Sequence, residues 1–551
     1  MNVGERQRRL SEMVEQEPTI VFRDLYGHLC NRDWLQLAHD YVAQNQGSIT
    51  AGCDGITMQV WDEHLVANQE QLRTDLKAGT FEPYPVRRVY IPKSHGRMRP
   101  LGIPTIRDRI VQEALRMILE PIYKAGFSQY SFGFRPNRST MDAIKAVRFY
   151  TRERTKFFWI IEGDISSYFD TINHRVLMKL LRRRVRDERL LQLIWKYLRA
   201  GVMEKKLFRD TQQGTPQGGI VSPLLANIYL HELDRYMQRY TGLSVPEKTK
   251  RRKAGQANFA YIRYADDFVV LCNGRREQAE ALKEELYTFL RMELKLTLSK
   301  EKTKVTHLND GFKFLGFWIE RSMGQKGITT KVLIPPGAFR KCRDKLSAVT
   351  DATTHRHSVT TKILAINRII GGWCRYYQYC TRASTAFGKL EYHVFWSMAH
   401  WLGRKFQLTM PQVLRRFRKG NTLSTGTLNL LKASEFKTKV YAKRYLKPNP
   451  YTTQERLQRE EGVMESSWWG QEPRPGIEDL RPLILERDKY TCGNCGRTGL
   501  RLETAEIDHR RPVRRFKLAL HANQPDNLWT LCVPCHKAKT KVDRRGESPA
   551  Q

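Results

Sequence analysis

The sequence has few acidic residues for its size and no long hydrophobic run. Its 551 residues include 57 Asp and Glu against 95 Lys and Arg, a formal net charge of +38. A membrane-spanning helix needs about 20 consecutive apolar residues, and no stretch approaches that length. The opening sequence MNVGERQRRLSEMVEQEP mixes acids with bases and has no apolar core, which argues against a secretory signal or a typical transit peptide. These absences predict a cytoplasmic protein that does not cross a membrane.

The charge excess is far larger than solubility requires, and such a field attracts polyanions. A nucleic acid is therefore the expected partner. Hydrophobic residues make up 40% of the chain and aromatic residues 10%, which is enough for packed cores and excludes wholesale disorder. No internal repeat of about 20 to 50 residues is visible, so solenoids and propellers are excluded. At about 150 residues per domain, the length predicts three or four domains.

Cysteine is sparse outside the C-terminal end. Six of the ten cysteines stand singly in apolar or mixed surroundings, where free thiols are commoner than disulfides in a cytosolic protein. The other four lie in two closely spaced pairs after residue 490. We therefore expect free thiols over most of the chain and a special role for these four.

Composition divides the chain into successive stretches. Residues 1 to about 330 alternate strand-like apolar runs with helical patterns, which predicts an α+β region. Residues 321–450 contain 25 Lys and Arg against 4 Asp and Glu, interleaved with fifteen aromatic residues. Residues 451–480 carry acids, Gly and Pro, a composition typical of a linker, and a short segment rich in Cys and His follows.

Acidic residues interrupt two of the strand-like runs. In FAYIRYADDFVVLC (259–272), Asp266 and Asp267 separate two apolar runs, which predicts carboxylates at the tip of a β-hairpin. Asp164 ends another run in WIIEGDI. Carboxylates at adjacent strand ends suit hard divalent cations, which in pairs activate one oxygen and stabilise the leaving one. The alternative is an ordinary turn, because Asp-Asp is a good turn dipeptide.

Two neighbouring segments favour a substrate site. In GTPQGGIVSPLLANIYL (214–230), a Gly-rich turn precedes Ser222 and Pro223, which are expected to cap and begin an amphipathic helix. Upstream, a strand and turn carry four bases that could hold a triphosphate or form an ordinary solvated basic face: Lys93, Arg97, Arg99 and Arg107.

Six segments in order resemble the reverse-transcriptase blocks of a group II intron-encoded protein. They are RPLGIPTIRDRIVQEAL, SFGFRPNRS, GDISSYFD, GTPQGGIVSPLLANIYL, YADD and FKFLGFWI, and the similarity covers most of residues 50–330. YADD alone is a weak signal, but six ordered blocks are a strong one. The resemblance implies a multidomain α+β fold shaped as a right hand, with fingers, palm and thumb.

The same resemblance implies roles for individual residues. Asp164 and Asp266 would ligate two catalytic Mg²⁺ ions, and Asp267 would complete the acidic cluster. Phe169 lies where related polymerases place an aromatic side chain that excludes a ribose 2′-hydroxyl, so deoxynucleotides (dNTPs) would be preferred. Three further residues would contact the incoming nucleotide: Lys93 and Arg99 at the triphosphate, and Gln217 near the sugar and base.

The basic stretch also resembles this family, in its maturase domain. GGWCRYYQYC and its neighbours set aromatic rings among cations, a composition that binds single-stranded RNA through stacking and phosphate contacts. For Trp373, Trp396 and Trp401 we favour core packing, because large apolar groups at near-helical spacing usually face inward. The clusters RRFRK (415–419) and KTKVYAKRYLK (437–447) are the expected RNA contacts. The resemblance implies binding to the host intron RNA and assistance in its splicing.

The C-terminal segment combines two CxxC pairs with other polar residues. Cys492, Cys495, Cys532 and Cys535 have a spacing suited to a tetrahedral structural Zn²⁺ site. A plain zinc ribbon would not require the additional EIDHRRPV, PDNLW and His536, and the whole resembles an HNH nuclease with a zinc-stapled ββα-metal core. That resemblance implies His509 as general base and a divalent metal held by Asp508 and His536, with Asn527 assisting. The glycine pair that many relatives carry before the Asn is absent.

These features predict a reverse transcriptase, maturase and DNA endonuclease that binds intron RNA and target DNA, with an oligomeric state the sequence does not specify. The expected domains are an N-terminal extension and fingers (1–110), fingers and palm (111–330), thumb or maturase (331–450), a linker and DNA-binding region (451–485) and the HNH module (486–545). Three alternatives stay open: another reverse transcriptase class, such as a retron or CRISPR-associated enzyme, a non-catalytic splicing cofactor, and a plain homing nuclease.

Overall fold

The computed structural model describes most of the chain in two compact units, Met1–Asn449 and Pro450–Gln551. The described residues are 2–92, 98–204, 207–209, 214, 218–324, 327–426, 428–441, 451, 484–485, 487–500, 505–510 and 527–545. Within these ranges, no helix is both long enough and apolar enough to cross a membrane. None of the ten cysteines is in a disulfide.

The N-terminal part of the first unit is helical and is built around one buried helix, α6. A capping box between Asn2 and Glu5 starts the first helix, and Thr105 caps α6. Almost every residue of α6 is buried, and the Ala114 carbonyl accepts a hydrogen bond from the Trp34 indole. The helices are α1 (Val3–Gln16), α2 (Tyr26–Leu29), α3 (Arg32–Ala43), α4 (Met58–Glu63), α5 (Leu65–Ala78), α6 (Ile106–Lys124) and α7 (Thr140–Tyr150).

A four-stranded sheet lies in the region of the predicted triphosphate-binding bases. Its strand order is β2-β1-β4-β5, with β1 and β2 antiparallel and β1 and β4 parallel. The strands are β1 (Val86–Pro92), β2 (Met98–Ile103), β4 (Val202–Glu204) and β5 (Leu207–Arg209). Strand β3 (Trp159–Gly163) precedes β4 in the chain but belongs to a second sheet.

The second sheet carries the acidic residues and is antiparallel, with the order β6-β7-β3-β8. Its other strands are β6 (Phe259–Tyr264), β7 (Asp267–Cys272) and β8 (Lys304–His307). Alternate residues of β6 enter two different cores: Phe259 and Tyr261 pack into one, and Ala260 and Ile262 into the other. The sheet is thus buried on both faces, which explains its nearly continuous apolar strands.

The described residues between β3 and β8 form six helices in all. They are α8 (Tyr168–Thr171), α9 (His174–Arg182), α10 (Glu188–Arg199), α11 (Ser222–Thr241), α12 (Val245–Lys253) and α13 (Arg276–Leu294). Helices α11 and α13 pack against this sheet. The N-cap of α11 is Val221, which offers no side-chain cap, so the prediction that Ser222 is the N-cap is wrong by one residue. Ser222 is the first helical residue and is itself buried, and Pro223 follows it in the first turn.

The basic stretch begins in a three-stranded sheet and continues as a helical region. The sheet order is β11-β10-β9, from β9 (Phe312–Phe314), β10 (Phe317–Gly324) and β11 (Gly327–Leu333). After it come α14 (Pro336–Val349), α15 (Val359–Tyr377), α16 (Ala383–Phe406), α17 (Met410–Phe417) and the short strands β12 (Arg418–Lys419) and β13 (Thr422–Leu423). Tyr376 and Tyr377 donate hydrogen bonds from α15 to the carbonyls of Leu315 and Gly316, at 2.7 and 3.2 Å. These bonds tie the helices to the turn between β9 and β10.

The described part of the second unit is a ββα module. Strands β14 (Ala505–His509) and β15 (Leu528–Cys532) are antiparallel and are followed by helix α18 (Val533–Arg545). Its small core includes Leu485, Leu500 and Leu531 beside Cys492 and Cys532. The two strands and one helix agree with the ββα arrangement expected from the sequence.

A fully buried ion pair lies beneath the second sheet. Arg263 on β6 donates from Nε and Nη2 to the two carboxylate oxygens of Asp234 on α11, at 2.8 and 2.7 Å. Tyr261 donates to the same carboxylate at 3.0 Å. Burial alone would raise the pKa of Asp234, but the Arg263 guanidinium outweighs it and lowers that pKa well below its usual range. The pair therefore remains charged inside the core.

Replacing Arg263 with methionine is expected to lower the stability of the first unit by about 3–5 kcal/mol, because the Asp234 charge would stay buried without its partner. Thermal unfolding of the full chain, followed by circular dichroism, measures the change. Arg252→Met, which removes an exposed arginine of α12, is the matched control. Equal melting temperatures for the two variants would contradict this role for the pair.

Candidate functional sites

Three carboxylates meet at one edge of the second sheet. Asp164 directly follows β3, Asp266 lies in the turn between β6 and β7, and Asp267 is the first residue of β7. Because β3 and β7 are paired, with Gly163 opposite Phe268, the end of β3 lies beside the hairpin turn. The structure thus brings Asp164 next to Asp266 and Asp267, which follow it by about 100 positions in the chain.

Burial and neighbouring negative charge raise the pKa of Asp266 and of Asp267. Partial burial of the Asp266 carboxylate raises its pKa, and the charge of Asp164 adds to the rise. Asp267 has an exposed surface, yet enough protein surrounds its carboxylate that desolvation, followed by the charges of Asp266 and Asp164, raises its pKa to about 6. The Lys302 ammonium lies 3.1 Å from Oδ2 of Asp164 and partly offsets this repulsion. Crowded anions of this kind are relieved by a bound cation.

The turn that carries Asp266 is fixed by contacts with Arg263 and Gly133. Ala265 has a left-handed backbone, with φ of 57°, which is unusual for a residue other than glycine. Nη1 of Arg263 donates to the Ala265 carbonyl at 2.9 Å, so the buried ion pair also fixes this turn. A Cβ added at Gly133 would lie 2.3 Å from the backbone nitrogen of Ala265. The segment SFGFRPNRS therefore packs directly against the turn, and only glycine fits there.

Phe169 and the Gly-rich loop lie against the same region. Phe169 is buried in α8 and makes an edge-to-face contact with Phe134, with ring centroids 6.3 Å apart. Gly214, with φ of 90°, would place a Cβ 2.9 Å from the Phe169 carbonyl. Gly218, with φ of 116°, would place one 2.2 Å from the carbonyl of Gly102 on β2. Gly214 therefore lies against the backbone of α8, and Gly218 against the backbone of the first sheet.

The predicted nucleotide-binding bases have different surroundings. Arg99 is exposed on β2. Its positive charge partly offsets the rise in the pKa of Asp266, so Arg99 interacts electrostatically with the carboxylate cluster. Arg107 instead stacks on Phe81 at 4.1 Å and pairs with Asp75 at 3.4 Å, so it stabilises the fold. Lys93, Arg97 and Gln217 lie outside the described residues.

Sequence reasoning missed the residues that position the turn. Arg263, Asp234 and Gly133 were not singled out, nor was Asn227, which donates to the Gly133 carbonyl at 2.9 Å and accepts from Arg263. One signal was available, because a charged residue inside the buried strand FAYIRY requires a buried partner. Lys302 gave no such signal, since KEKTK reads as a solvated basic segment.

The tryptophans of the basic stretch serve packing, as expected. Trp401 is 1% exposed, and Trp373 and Trp396 pack partly buried against the same core. The cations of the 415–419 cluster are exposed at the end of α17 and on β12. Residues 442–447 of the second cluster lie outside the described ranges.

The four cysteines of the second unit come together. Their Sγ atoms all lie within 4.8 Å of one another, which fits one tetrahedrally coordinated ion. The Cys532 backbone N–H donates to Sγ of Cys492 at 3.3 Å. Burial opposes ionisation of Cys492, but this and neighbouring backbone hydrogen bonds outweigh it and lower its pKa to about 6. The cluster could therefore hold Zn²⁺ through thiolates.

The residues predicted for the nuclease site lie at the end of β14, just before β15 and on α18. Asp508 is opposite Trp529, and His509, 3% exposed, is opposite Leu528. Oδ2 of Asp508 lies 3.9 Å from Nε2 of His536 and 3.1 Å from Nζ of Lys539, both on α18. The carbonyl of Asn527 accepts a hydrogen bond from the Arg510 backbone at 2.6 Å. The structure thus pairs Asp508 with His536 and adds Lys539, which the sequence did not indicate.

The acidic cluster at the sheet edge and the four-cysteine cluster of the ββα module are two places where the chain could hold metal ions. Three protein families match successive parts of the chain. They are reverse transcriptase (RNA-dependent DNA polymerase) over residues 91–319, the group II intron maturase-specific domain over residues 339–419 and HNH endonuclease over residues 492–541.

Individual relatives agree with these matches. Protein YkfC of Escherichia coli (strain K12) is 41% identical over 345 residues, which cover 59% of this chain and 91% of YkfC. Group II intron-encoded protein LtrA of Lactococcus lactis subsp. cremoris is 37% identical over 356 residues, 56% of this chain and 58% of LtrA. Nuclear intron maturase 2, mitochondrial, of Arabidopsis thaliana is 28% identical over 280 residues, 38% of this chain and 37% of that protein.

The chain belongs to the group II intron-encoded proteins that join a reverse transcriptase, a maturase and an HNH endonuclease domain. This confirms the family inferred from the six ordered blocks and the C-terminal motif. Its domains are those of two enzymes, an RNA-directed DNA polymerase and an endonuclease.

Gly133→Ala is expected to slow polymerisation by about 100-fold, because the new Cβ would push the backbone of Ala265 and misplace the adjacent Asp266. Primer extension on an RNA template measures the rate. Gly372→Ala is the matched control, since it lies in a helix with open space around its Cβ position. Wild-type rates in both variants would show that the turn does not depend on Gly133.

Cys495→Ser is expected to lower the zinc content of the purified full-length chain from one ion to well below one, and to loosen the ββα module. Structural zinc supplies much of the folding free energy of such small domains. Elemental analysis measures the ion, and amide exchange of residues 487–500 and 527–540 measures the loosening. Cys53→Ser, outside the cluster, should change neither quantity. Full zinc occupancy in Cys495→Ser would exclude the four-thiolate site.

Proposed function

We propose that this protein copies RNA into DNA, assists splicing of its host intron RNA and nicks target DNA. The first unit would form a right hand: fingers in residues 1–110 and the start of 111–330, a palm in the rest of 111–330, and a thumb or maturase region in 331–450. Residues 451–485 would be a linker and DNA-binding region, and 486–545 the HNH domain. The observation that carries the proposal is the cluster of Asp164, Asp266 and Asp267 beside the basic first sheet.

In the polymerase site, Asp164 and Asp266 would hold two Mg²⁺ ions, with Asp267 completing the cluster. The raised pKa values of Asp266 and Asp267 support this, because crowded carboxylates suit hard cations. When bound, the metals lower the barrier to attack of a primer 3′-hydroxyl on the α-phosphate and neutralise the leaving pyrophosphate. The protein supplies mainly position: the Arg263–Asp234 pair and Gly133 hold the turn in place.

Four residues would select and hold the incoming dNTP. Phe169 lies buried on α8, where its ring would exclude a ribose 2′-hydroxyl. Arg99 would meet the triphosphate from β2, which fits its electrostatic influence on Asp266. Lys93 is proposed at the triphosphate, and Gln217 near the sugar and base, on the family resemblance alone.

The helical region would bind the structured intron RNA. The maturase-specific match over residues 339–419 and the exposed cations at 415–419 support this role. Since Tyr376 and Tyr377 attach α15 to the turn at Leu315 and Gly316, RNA held by the helices would be kept close to the three-stranded sheet β11-β10-β9. Phosphate contacts dominate such binding, so affinity would fall steeply with salt.

In the HNH domain, His509 would activate water as the general base, while Asp508 and His536 would hold one divalent metal at the scissile phosphate. The approach of Asp508 to His536, at 3.9 Å, supports a shared ion. Asn527 would orient the site, and the four cysteines would hold a structural Zn²⁺. The intron RNA would insert into one DNA strand, the HNH domain would cut the other, and the freed 3′-hydroxyl would prime cDNA synthesis.

Asp266→Ala is expected to reduce primer extension on RNA with dNTPs and Mg²⁺ by more than about 1000-fold, because a metal ligand is lost. RNA binding should remain. Asp310→Ala, which removes an exposed aspartate near β8, is the control and should polymerise normally. Retained cDNA synthesis in Asp266→Ala would contradict the assignment. If wild type itself bound RNA tightly but made no cDNA, the protein would be a splicing cofactor instead.

His509→Ala is expected to stop nicking of target DNA by the ribonucleoprotein while extension of a supplied primer continues at the wild-type rate. Loss of the general base removes water activation but leaves the polymerase site intact. Both activities are measured on the same preparation, with zinc content as the check on folding. Equal loss of the two activities would contradict separable sites.

A further inference from the structure

The first unit contains a cleft that none of the proposed catalytic residues lines. It has a volume of about 1080 Å³ and lies between helix α7, strand β11 and the connection from α15 to α16. Residues 438–441, which follow the helical region, run along one wall. Such a volume is large enough for one or two nucleotides.

The acidic residues of the cleft are already satisfied. Asp142 accepts hydrogen bonds from Ser139 at 2.7 Å and from the Tyr441 hydroxyl at 2.6 Å. Glu153 pairs with Arg321 at 2.6 Å. These two carboxylates are outnumbered by the cations of the lining, which are Arg138, Lys145, Arg148, Arg152, Arg382 and Lys439.

Several cations of the cleft lack such partners. Arg148, Arg382 and Lys439 are exposed, and among the described residues no ion pair or side-chain hydrogen bond is found for them. Arg382 also has a left-handed backbone, with φ of 59°, at the start of α16. Backbone strain of this kind is kept where the surrounding structure requires it, and it accompanies functional positions. The cleft thus presents net positive charge.

Aromatic rings lie among these cations. Phe149 is 40% exposed, and the Arg152 guanidinium lies 5.0 Å from its ring centroid. Tyr150 makes an edge-to-face contact with this ring, with the ring centroids 5.3 Å apart. Tyr379 and Tyr441 form a second aromatic pair across the cleft lining, 5.3 Å apart.

We propose that this cleft binds an unpaired stretch of RNA, with a base stacked on Phe149 and phosphates held by Arg148, Arg382 and Lys439. Open aromatic faces next to unpaired cations are the combination that single strands require, because bases stack while the backbone is neutralised. A duplex would keep its bases stacked internally and could not use Phe149. The proposal rests on the RNA binding in the proposed function and assigns a specific site to it.

The test uses the full chain and a short oligouridylate carrying 4-thiouridine, in the presence of excess unlabelled primer–template duplex that fills the polymerase site. Affinity is measured by fluorescence anisotropy at several salt concentrations, and photo-cross-links are mapped to peptides. Phe149→Ala should weaken binding about 10-fold because the stacking of a base is removed, and Phe149→Trp should restore it. Neither variant changes the charge, so a general electrostatic effect cannot produce this difference.

Arg148→Ala/Arg382→Ala should weaken binding and reduce the salt slope by about 1.4, since each phosphate of a single strand that a cation neutralises adds about 0.7 to that slope. The control is Lys250→Ala/Lys253→Ala on α12, which removes the same charge from another exposed surface and should leave the slope unchanged. Primer extension by all variants should be normal, which verifies folding.

Cross-links in the peptide containing Phe149, together with these weaker affinities, would support the cleft. Wild-type affinity in the Phe149 and Arg148/Arg382 variants, or cross-links confined to other segments, would overturn it while leaving RNA binding by the maturase region intact. Failure of the unaltered protein to bind the oligonucleotide would overturn the cleft, and failure with the intron RNA as well would overturn the proposed maturase function.

Discussion

The buried pair between Arg263 and Asp234 is the interaction on which the proposed polymerase site depends. Both side chains have no exposed surface, and the guanidinium also holds Asn227 and the Ala265 carbonyl. A single residue therefore connects helix α11, strand β6 and the turn that carries Asp266. Carboxylates that repel one another tend to move apart, so their cluster requires a rigid support. The buried pair supplies it, at the cost of desolvating two charges.

The chain as a whole is strongly basic, but the cluster that the buried pair supports is acidic. The chain has a net charge of +38, yet its proposed catalytic centre concentrates negative charge at one sheet edge. A polyanionic substrate is drawn to the basic surface, whereas the acidic centre would repel it without metal ions. Under the proposed function, the general surface would bind nucleic acid of any sequence, and reaction would be confined to the carboxylate cluster that would hold the metal ions.

Much of this could be predicted from the sequence, because local patterns determine local structure. The run FAYIRY is strand β6, the Asp-Asp pair lies at its hairpin, and two CxxC pairs form one cluster. What the sequence did not reveal are contacts between distant segments. Gly133 meets Ala265 across more than 100 residues, and Asp508 meets Lys539 across about 30, and no periodicity encodes such distances. The N-cap of α11 was missed by one residue because the helix begins after Val221, which has no capping side chain, and a pattern of capping residues cannot indicate such a start.

The aspartates at the two proposed centres pair with lysine, whereas the buried Asp234 pairs with arginine. Lys302, 64% exposed, lies 3.1 Å from Asp164, and Lys539, 11% exposed, lies 3.1 Å from Asp508. The exposed Lys302 pair contributes at most about 1 kcal/mol, and the ammonium of either lysine, on its flexible stem, fixes no geometry. Lysine can therefore moderate repulsion at a carboxylate that must also bind other cations, whereas the bidentate arginine is found where the geometry must not change. The choice of cation at each aspartate thus follows from whether that aspartate has to be shared.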